Sequence, residues 1–310
     1  MGVLACLISA AAFGSLGIFG KLAYDEGAGV MTLLVVRFTL GALVFWGLAL
    51  ALRSSRRALR ARPGRGLVLT ALGLGAVGYA TQAGLFFAAL ERMDASLLSL
   101  VLYTYPGWVA LTAAALGRET LTPGRIGVLL VVFAGLVLVL AGGGVGDVDP
   151  LGAGLGLAAA LTYTGYILVA DGVVDRLPPV LLSAVVCTGA ACSLAAVAAA
   201  AGALDLALSA AAWGWLLAIA LVATVLGVAL FFVGLQRVGP GAAAILSCAE
   251  PVVTVLLALA VFGEELGGVQ WAGAVLVLGA VVVLQRRRAQ ATAAAAPGPP
   301  ASAAVARAPA

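Results

Sequence analysis

The chain has 310 residues, of which 64% are hydrophobic and only 10% are charged. Soluble domains average about 45–50% apolar and roughly 25% charged residues, so this composition excludes a soluble globular fold and predicts an integral membrane protein. The net charge of +4 does not indicate nucleic-acid binding, because the basic residues cluster in connections between apolar segments. The chain has no histidine, which excludes His metal sites and Ser-His triads, and we expect no metal, no catalytic residue and no cofactor.

A transmembrane helix needs about 20 predominantly apolar residues, and ten segments of the chain meet that requirement. These predicted spans, numbered 1 to 10, cover residues 3–23, 30–52, 66–88, 95–116, 124–142, 151–170, 179–201, 213–235, 241–262 and 269–285. The short connections between them hold nearly all the charges. Residues 289–310 are rich in Ala and Pro and are predicted to form a disordered tail. The predicted fold class is an all-α integral membrane protein with ten transmembrane helices.

The charges in the connections separate by sign between the two sides of the membrane. With ten spans both termini lie on one side, which we name the arginine-rich side, and the opposite side is the acid-rich side. The arginine-rich side holds Arg53, Arg56, Arg57, Arg60, Arg62, Arg65, Arg118, Arg125, Arg176, Arg237, Arg286, Arg287, Arg288 and Arg307. The acid-rich side holds Asp25, Glu26, Glu91, Asp94, Asp147, Asp149, Asp205, Glu264 and Glu265, with Arg92 as its basic residue. Because basic connections stay inside, we expect both termini to be cytoplasmic.

The two halves of the chain are related by an internal repeat. Residues 86–121 align without a gap to residues 231–266 at an offset of 145. Identical pairs include Phe86/Phe231, Phe87/Phe232, Leu90/Leu235, Arg92/Arg237, Pro106/Pro251, Leu111/Leu256, Glu119/Glu264 and Leu121/Leu266. Each half holds five spans, an odd number, so the second half enters the membrane from the opposite side and the repeats are inverted. The predicted units are a first repeat over 1–142 and a second over 143–288.

A carboxylate and a proline interrupt the apolar sequence of span 9. Glu250 lies about 13 Å into the span, and its repeat partner Tyr105 lies about 15 Å into span 4, so both are expected near the midplane of a core about 30 Å thick. Hydrocarbon disfavours the charged form of a carboxyl group, which suits a proton-coupling or cation-binding role for Glu250 as well as a structural contact. Pro106 and Pro251 are expected to kink their helices, and Pro251 frees the carbonyl near Ser247.

The remaining polar residues of the spans are the other candidates for substrate or coupling contacts. Arg37 in span 2 is costly in hydrocarbon, and it either holds an anionic group of the substrate or pairs with Glu250. Lys21 lies nearer the end of span 1, where it contacts substrate or extends its ammonium toward the interface. Aromatic walls with a few polar anchors are typical of small-molecule sites. On that pattern the other candidates are Tyr79, Gln82, Tyr105, Trp108, Tyr163 and Tyr166.

Two alternative functions are compatible with a chain that crosses the membrane many times. Gly144-Val145-Gly146-Asp147 and Tyr24-Asp25 match the GxGD and YD patterns of intramembrane aspartyl proteases. Both aspartates are expected in short connections, outside the apolar helix centres where that chemistry takes place. A channel or lipid scramblase is the other alternative, and no charged ring or repeated filter sequence favours it.

The repeated segments resemble a known family. Gly14–Lys21 in span 1, Arg37-Phe38 in span 2, and the sequences ALERMDASLLSLVLYTYP…GRETL and LQRVGPGAAAILSCAEP…GEEL are similar to two-repeat EamA proteins of the drug/metabolite transporter superfamily. The resemblance covers residues 3–286. Phe13 stands where many relatives have Trp, and the first copy has Tyr-Pro where some have an acid, so the substrate is not specified by it.

The resemblance implies ten helices with a central substrate path between the halves. It implies a secondary transporter, not an enzyme, that moves a small metabolite such as an amino acid or a related compound by alternating access. Export is favoured over import, and protons are the candidate coupling ion. The expected partners are the small-molecule substrate and the lipid bilayer of a bacterial plasma membrane, with no nucleic acid; the oligomeric state is left open.

Overall fold

The computed structural model describes residues 1–118, 122–141 and 149–295. Within these ranges ten helices are long and apolar enough to cross a membrane. They are Gly2–Asp25, Val30–Ala51, Arg65–Leu90, Ala95–Ala115, Pro123–Ala141, Pro150–Ala170, Pro179–Ala201, Ala210–Val238, Ala242–Phe262 and Gly268–Arg287, and they keep the names span 1 to span 10. A short helix, Arg53–Arg60, lies in the connection between spans 2 and 3. The predicted all-α membrane fold with ten spans is confirmed, with bounds that differ by only a few residues.

The last helix does not end at the membrane segment. It runs over Gly268–Ala295, so residues 289–295 are helical and the boundary predicted for the disordered tail at 289 is corrected. The reason is local: this stretch reads AQATAAA, and alanine has the most favourable helix propensity of all residues. Residues 296–310 lie outside the described residues.

The packing of the spans follows the internal repeat. Extensive contacts join span 2 to span 7, span 5 to span 10, span 1 to span 8 and span 3 to span 6. The repeat relates spans 1–5 to spans 6–10 in order. Exchanging the two halves therefore leaves the pairs 2–7 and 5–10 unchanged and turns the pair 1–8 into the pair 6–3. Connections predicted on the acid-rich side also meet, since Arg92 pairs with Asp149 at 3.3 Å and Ser209 donates to Glu26 at 3.0 Å. The halves therefore pack as two related units around a pseudo-two-fold axis.

Irregular backbone lies at equivalent places in the two halves. Span 4 is interrupted between Leu102 and Tyr105, and span 9 is interrupted at Cys248, the repeat partner of Tyr103. Spans 3 and 8 each contain a π-helical turn, over Leu74–Tyr79 and Ile219–Leu226. Such turns add a residue to the helical circuit and are frequent at functional sites. Non-helical backbone at membrane depth is tolerated where protein or a water-filled cavity covers it, so these four places point to the functional centre.

Two glycines allow spans 3 and 7 to cross in close contact. A Cβ atom at Gly75 would overlap the carbonyl oxygen of Val186, and one at Gly189 would overlap that of Leu72. Small residues at such crossings let the helix backbones pack directly, which drives helix association in a bilayer. By contrast, a Cβ at Gly73, on the same span, would meet no atom within 4 Å.

We expect Gly75→Ala to destabilise the protein by about 1–3 kcal/mol or more, because spans 3 and 7 must separate to admit the methyl group. Gly73→Ala is the matched control and should leave stability unchanged or slightly raised, since alanine is the better helix former. Thermal unfolding of both variants in detergent, followed by tryptophan fluorescence, measures the difference. Equal unfolding temperatures for the two variants would show that the crossing is not as close as described.

Candidate functional site

Five of the six tyrosines of the chain form one continuous row through the centre of the bundle. Spans 4 and 6 contribute two rings each, and span 3 contributes one. Neighbouring ring centroids lie 5.7 Å apart for Tyr103–Tyr105, 4.7 Å for Tyr105–Tyr163, 6.0 Å for Tyr163–Tyr166 and 5.7 Å for Tyr166–Tyr79. These separations are typical of direct aromatic contacts. We name this set the tyrosine row.

One end of the tyrosine row contacts the kink of span 9. The Tyr103 hydroxyl donates a hydrogen bond to the Ser247 carbonyl oxygen, and it lies 3.2 Å from Oε2 of Glu250. Pro251 has no N–H, so the carbonyl four residues earlier has no intrahelical donor, and Tyr103 from the other half supplies one. Span 1 also contacts span 9 close to this kink, because Thr254 Oγ1 of span 9 donates a hydrogen bond to the Gly14 carbonyl of span 1 at 2.9 Å.

The other end of the tyrosine row contacts the buried guanidinium of Arg37, which is only 3% exposed. Arg37 donates to Thr224 Oγ1 at 2.9 Å and to the Tyr79 hydroxyl at 3.1 Å. Thr224 is the repeat partner of Tyr79, and both lie in the π-helical turns of spans 3 and 8. Arg37 thus joins equivalent hydroxyls of the two halves. Its Cζ also lies 5.0 Å from the Phe38 ring and 5.7 Å from the Phe87 ring, a cation–π setting that offsets part of the burial cost.

Arg37 and Glu250 do not form an ion pair with each other. Within the described ranges, the ion pairs shorter than 4 Å join Lys21 to Asp94, Lys21 to Glu264 and Arg92 to Asp149. Of the five N–H groups of Arg37, two donate to protein groups in the described part of the chain, which leaves three for a ligand. Gln82, one turn beyond Tyr79 and 8% exposed, likewise has no protein hydrogen-bond partner among the described residues. The two ionisable side chains therefore lie at opposite ends of the row, with donors available at the Arg37 end.

A cavity leads from the tyrosine row toward the arginine-rich side. Its volume is about 200 Å³, below the roughly 300 Å³ at which pockets for drug-sized ligands begin. Tyr105 and Pro106 lie at its inner end, and Arg125 and Gln285 lie at the end near the arginine-rich connections. The walls between them are mainly aliphatic side chains of spans 4, 6, 9 and 10: Val109, Ala110, Ile167, Ala244 and Leu284. The cavity has room for a small molecule only.

The sequence of nearly the whole chain matches one protein family. The EamA-like transporter family matches residues 1–141 and 150–286, one match for each half. The chain belongs to the EamA-like transporter family. The resemblance seen in the repeated segments, and with it the drug/metabolite transporter superfamily, is confirmed.

Relatives of this EamA chain carry the same general description. It is 27% identical over 279 residues to the uncharacterized transporter YcbK of Bacillus subtilis (strain 168), covering 88% of each chain. A shorter match, 32% identical over 72 residues, covers 23% of this chain and 22% of the uncharacterized transporter sll0355 of Synechocystis sp. (strain ATCC 27184 / PCC 6803 / Kazusa). A protein of known crystal structure superposes with a TM-score of 0.65 at 20% identity, over 93% of this chain and 98% of its own, which supports the fold alone.

Two residues predicted for the site of this EamA protein lie apart from the tyrosine row. Trp108 packs edge-on against Phe133 of span 5 with ring centroids 4.5 Å apart, and its buried indole N–H has no partner in the described residues. Lys21 lies at the acid-rich side and binds acidic groups there.

Of the aspartates considered for protease chemistry, Asp25 ends span 1, and Gly144 to Asp147 lie outside the described residues.

Lys21 belongs to a compact group of polar contacts that we name the Glu264 cluster: Lys21, Asp94, Ala95, Ser96 and Glu264. Lys21 Nζ lies 2.7 Å from Glu264 and 3.5 Å from Asp94. The Glu264 carboxylate also accepts from the backbone N–H groups of Ala95 and Ser96, at 3.1 and 3.0 Å, and from the Ser96 hydroxyl at 2.8 Å. It therefore caps the first helical turn of span 4, where a negative charge also interacts favourably with the helix dipole.

The surroundings of Glu264 keep it ionised. Burial by itself would raise its pKa, but hydrogen bonds donated by Lys21 and Ser96 outweigh burial and hold the pKa of Glu264 below its usual value. A carboxyl whose pKa is lower in the folded state stabilises the fold above its unfolded pKa, and this contribution is lost as the pH falls through the lowered value. The Glu264 cluster is therefore intact at neutral pH.

Sequence reasoning misses several contacts that the structure brings to the site. The sequence shows Tyr103 as an aromatic of span 4, but not its link to Glu250 and Ser247. The repeat relates the hydroxyls of Tyr79 and Thr224, although nothing in the sequence shows that Arg37 binds both. A search for polar residues close to each proline would find Tyr103, whereas the π-helical turns have no recognisable sequence signal.

Proposed function

We propose that the chain is a secondary transporter that moves a small zwitterionic metabolite, an amino acid or a related compound, between its two halves by alternating access. Membership of the EamA-like transporter family and relatives named as transporters support the transport role. The observation that carries the finer proposal is the tyrosine row, which connects a buried cation, Arg37, to a buried acid, Glu250.

The chemistry of the two ends selects the substrate class. The guanidinium of Arg37 keeps N–H donors in the fork arrangement that suits a carboxylate. Glu250, at the opposite end, suits an ammonium group or a proton. Aromatic rings between these ends provide contact area for the body of a small molecule, and a cation in transit interacts favourably with their faces.

The geometry at Tyr103 supports proton coupling. A tyrosine hydroxyl has one hydrogen, yet that of Tyr103 lies within hydrogen-bond distance of both the Ser247 carbonyl and Glu250. Both bonds form at once only when the carboxyl group of Glu250 is protonated and donates the second hydrogen. Deprotonation then breaks one link between span 4 and span 9. We propose that this change couples proton binding to movement of the two halves.

The proposed orientation places the arginine-rich side in the cytoplasm of a bacterium, with the protein in the plasma membrane. The charge asymmetry of the connections supports it, because basic residues are retained inside. In that orientation the cavity lined by Tyr105 and Arg125 opens to the cytoplasm. Substrate would then enter from inside the cell, which agrees with export.

Thermal-shift measurements on the purified protein test the substrate class. Neutral amino acids are compared with their amides, which lack the carboxylate, and with their N-acetyl derivatives, which lack the ammonium group. A ligand at about 100 times its Kd adds roughly 2.7 kcal/mol to the free energy of unfolding, so binding should raise the unfolding temperature. We expect the amino acids to raise it more than either derivative. Equal effects of all three, or a response to sugars alone, would contradict the proposal.

A further inference from the structure

The two ends of the transport path are not equally closed. On the arginine-rich side the cavity reaches from the tyrosine row to Arg125 and Gln285. On the acid-rich side, span 4 begins with residues that are fully packed: Ala95 is 2% exposed, Ser96 1% and Leu98 0%. The Glu264 cluster lies at this closed end. The described residues thus leave a cavity on the arginine-rich side of the tyrosine row and pack closely on its acid-rich side.

At the closed end the Glu264 carboxylate joins the two halves through several contacts at once, in addition to the more exposed contacts Arg92–Asp149 and Ser209–Glu26. Lys21, Asp94, Ala95 and Ser96 all belong to the first half, whereas Glu264 is the member from the second half. The side chain of Glu264 is only 7% exposed and takes part in an ion pair and three further hydrogen bonds, all charge-assisted. Opening this end of the path separates the halves here, so it must break all four contacts together.

The repeat shows that the opposite end of the path lacks the same arrangement. In an inverted-repeat transporter the other conformation arises when the halves exchange roles, so closure of the arginine-rich side would use the equivalent positions. Glu119 is the equivalent of Glu264 in the sequence. The equivalents of Asp94, Ala95 and Ser96 are Gly239, Pro240 and Gly241.

These differences between the two repeats leave the second copy without most of the groups that form the Glu264 cluster. The acid and the hydroxyl are replaced by glycines, and proline has no N–H to donate. Span 6, which corresponds to span 1, contains no Lys or Arg between Pro150 and Ala170, so this span has no counterpart of Lys21. At the positions related by the repeat, the sequence therefore lacks the partners that Glu264 has on the acid-rich side.

We propose that Glu264 is the gate residue that shuts the candidate site toward the acid-rich side, and that the one-sided placement of its cluster makes the conformation open to the arginine-rich side the resting state. This inference rests on the proposed transport by alternating access. It assigns to Lys21, predicted from the sequence as a substrate or coupling residue, a role in the gate instead. Substrate release on the acid-rich side would require the Glu264 contacts to break in each cycle.

Cysteine accessibility in the purified, detergent-solubilised protein tests the gate without any substrate. One sensor is Ser99→Cys, one turn below Ser96 and 8% exposed, and the other is Ala244→Cys, in the wall of the open cavity. A charged methanethiosulfonate reagent is added, and labelling of each site is followed by peptide mass spectrometry, which separates the sensors from the native cysteines. In the otherwise unchanged chain, Ala244→Cys should react at least about tenfold faster than Ser99→Cys.

The gate variant is Glu264→Gln, and Glu265→Gln is its matched control, because the neighbouring acid is exposed and belongs to the same connection. Glu264→Gln should raise the labelling rate of Ser99→Cys about tenfold or more and lower that of Ala244→Cys, as the population shifts between two states. Glu265→Gln should change neither rate. Lys21→Met provides an independent variant, since it removes the cation and leaves the carboxylate cap of span 4 in place.

The labelling rates distinguish gating from a general loosening of the bundle. Labelling of Ser99→Cys at the parental rate in both Glu264→Gln and Lys21→Met would overturn the proposal. A parallel rise at both sensors would also overturn it, because that result indicates loosening in place of an exchange of open sides. Since the assay contains no substrate, these results stand even if the zwitterion proposal fails, and the thermal-shift comparison can succeed even if the gate is disproved.

Discussion

Glu250→Gln is expected to abolish substrate accumulation driven by a pH gradient while leaving the protein folded. Gln has the size of Glu and its amide N–H can donate to the Tyr103 hydroxyl as the protonated carboxyl does, but it cannot release a proton. A gradient of about one pH unit is worth about 1.4 kcal/mol per proton, enough for roughly tenfold accumulation if one proton moves per substrate. In proteoliposomes we expect the ratio of substrate concentrations across the membrane to fall to about one in the variant. Exchange of labelled for unlabelled substrate, which needs no net proton movement, should persist.

The control for this experiment is Glu265→Gln, which removes an exposed acid from the connection after span 9 and should keep full accumulation. Gel filtration and the unfolding temperature of each variant establish that the fold is retained. Accumulation at the wild-type ratio in Glu250→Gln would exclude Glu250 as the coupling group. Loss of both accumulation and exchange would assign Glu250 to substrate binding alone.

Arg37→Met is expected to weaken binding of the substrate carboxylate without reducing stability. A hydrogen bond to a charged group contributes about 1.5–3 kcal/mol, so affinity should fall roughly 10- to 100-fold. Stability should be unchanged or raised, because an arginine within a span costs about 2.5–3.5 kcal/mol on insertion scales. Thr224 keeps its own hydrogen bond to the Ile219 carbonyl at 3.0 Å when the arginine is removed. Thermal-shift titrations give both the substrate affinity and the stability of the variant from the same samples.

Arg37→Lys and Arg92→Met complete this comparison. Lysine keeps the charge but lacks the planar fork that reaches Tyr79 and Thr224 together, so we expect an intermediate loss of affinity. Arg92 pairs with Asp149 in an exposed position, and its replacement should alter neither affinity nor stability by much. A large loss of stability in Arg37→Met, with unchanged affinity in the protein that remains folded, would make Arg37 a structural residue.

Much of the architecture could be predicted from the sequence, for a physical reason. A helix must supply about 20 apolar residues to cross hydrocarbon, and its backbone satisfies its own hydrogen bonds, so each span is determined locally. The repeat at an offset of 145 then relates the halves, and the odd number of spans makes them inverted. Counting residues from the start of spans 9 and 4 predicts that Glu250 and Tyr105 lie at similar depth. The tail boundary at 289 was wrong because a run of alanines continues the last helix beyond the membrane segment.

The contacts of the charged residues could be settled only by the tertiary structure. Position along a span gives the depth of a side chain but neither the neighbouring helix that it faces nor its rotation about the axis. Arg37 and Glu250 therefore looked able to pair, whereas the bundle directs Arg37 to Tyr79 and Thr224, and Glu250 to Tyr103.

The sequence alone thus determined the class, the number of spans, the inverted repeat and the residues that are costly in lipid, because each depends on local hydrophobicity and on self-similarity along the chain. The tertiary structure decided how those residues are used. It placed the ionisable side chains of Arg37 and Glu250 at opposite ends of the tyrosine row, and it brought Lys21 and Glu264 together from positions 243 residues apart. Such pairings depend on which helices pack side by side, and packing is a property of the whole bundle.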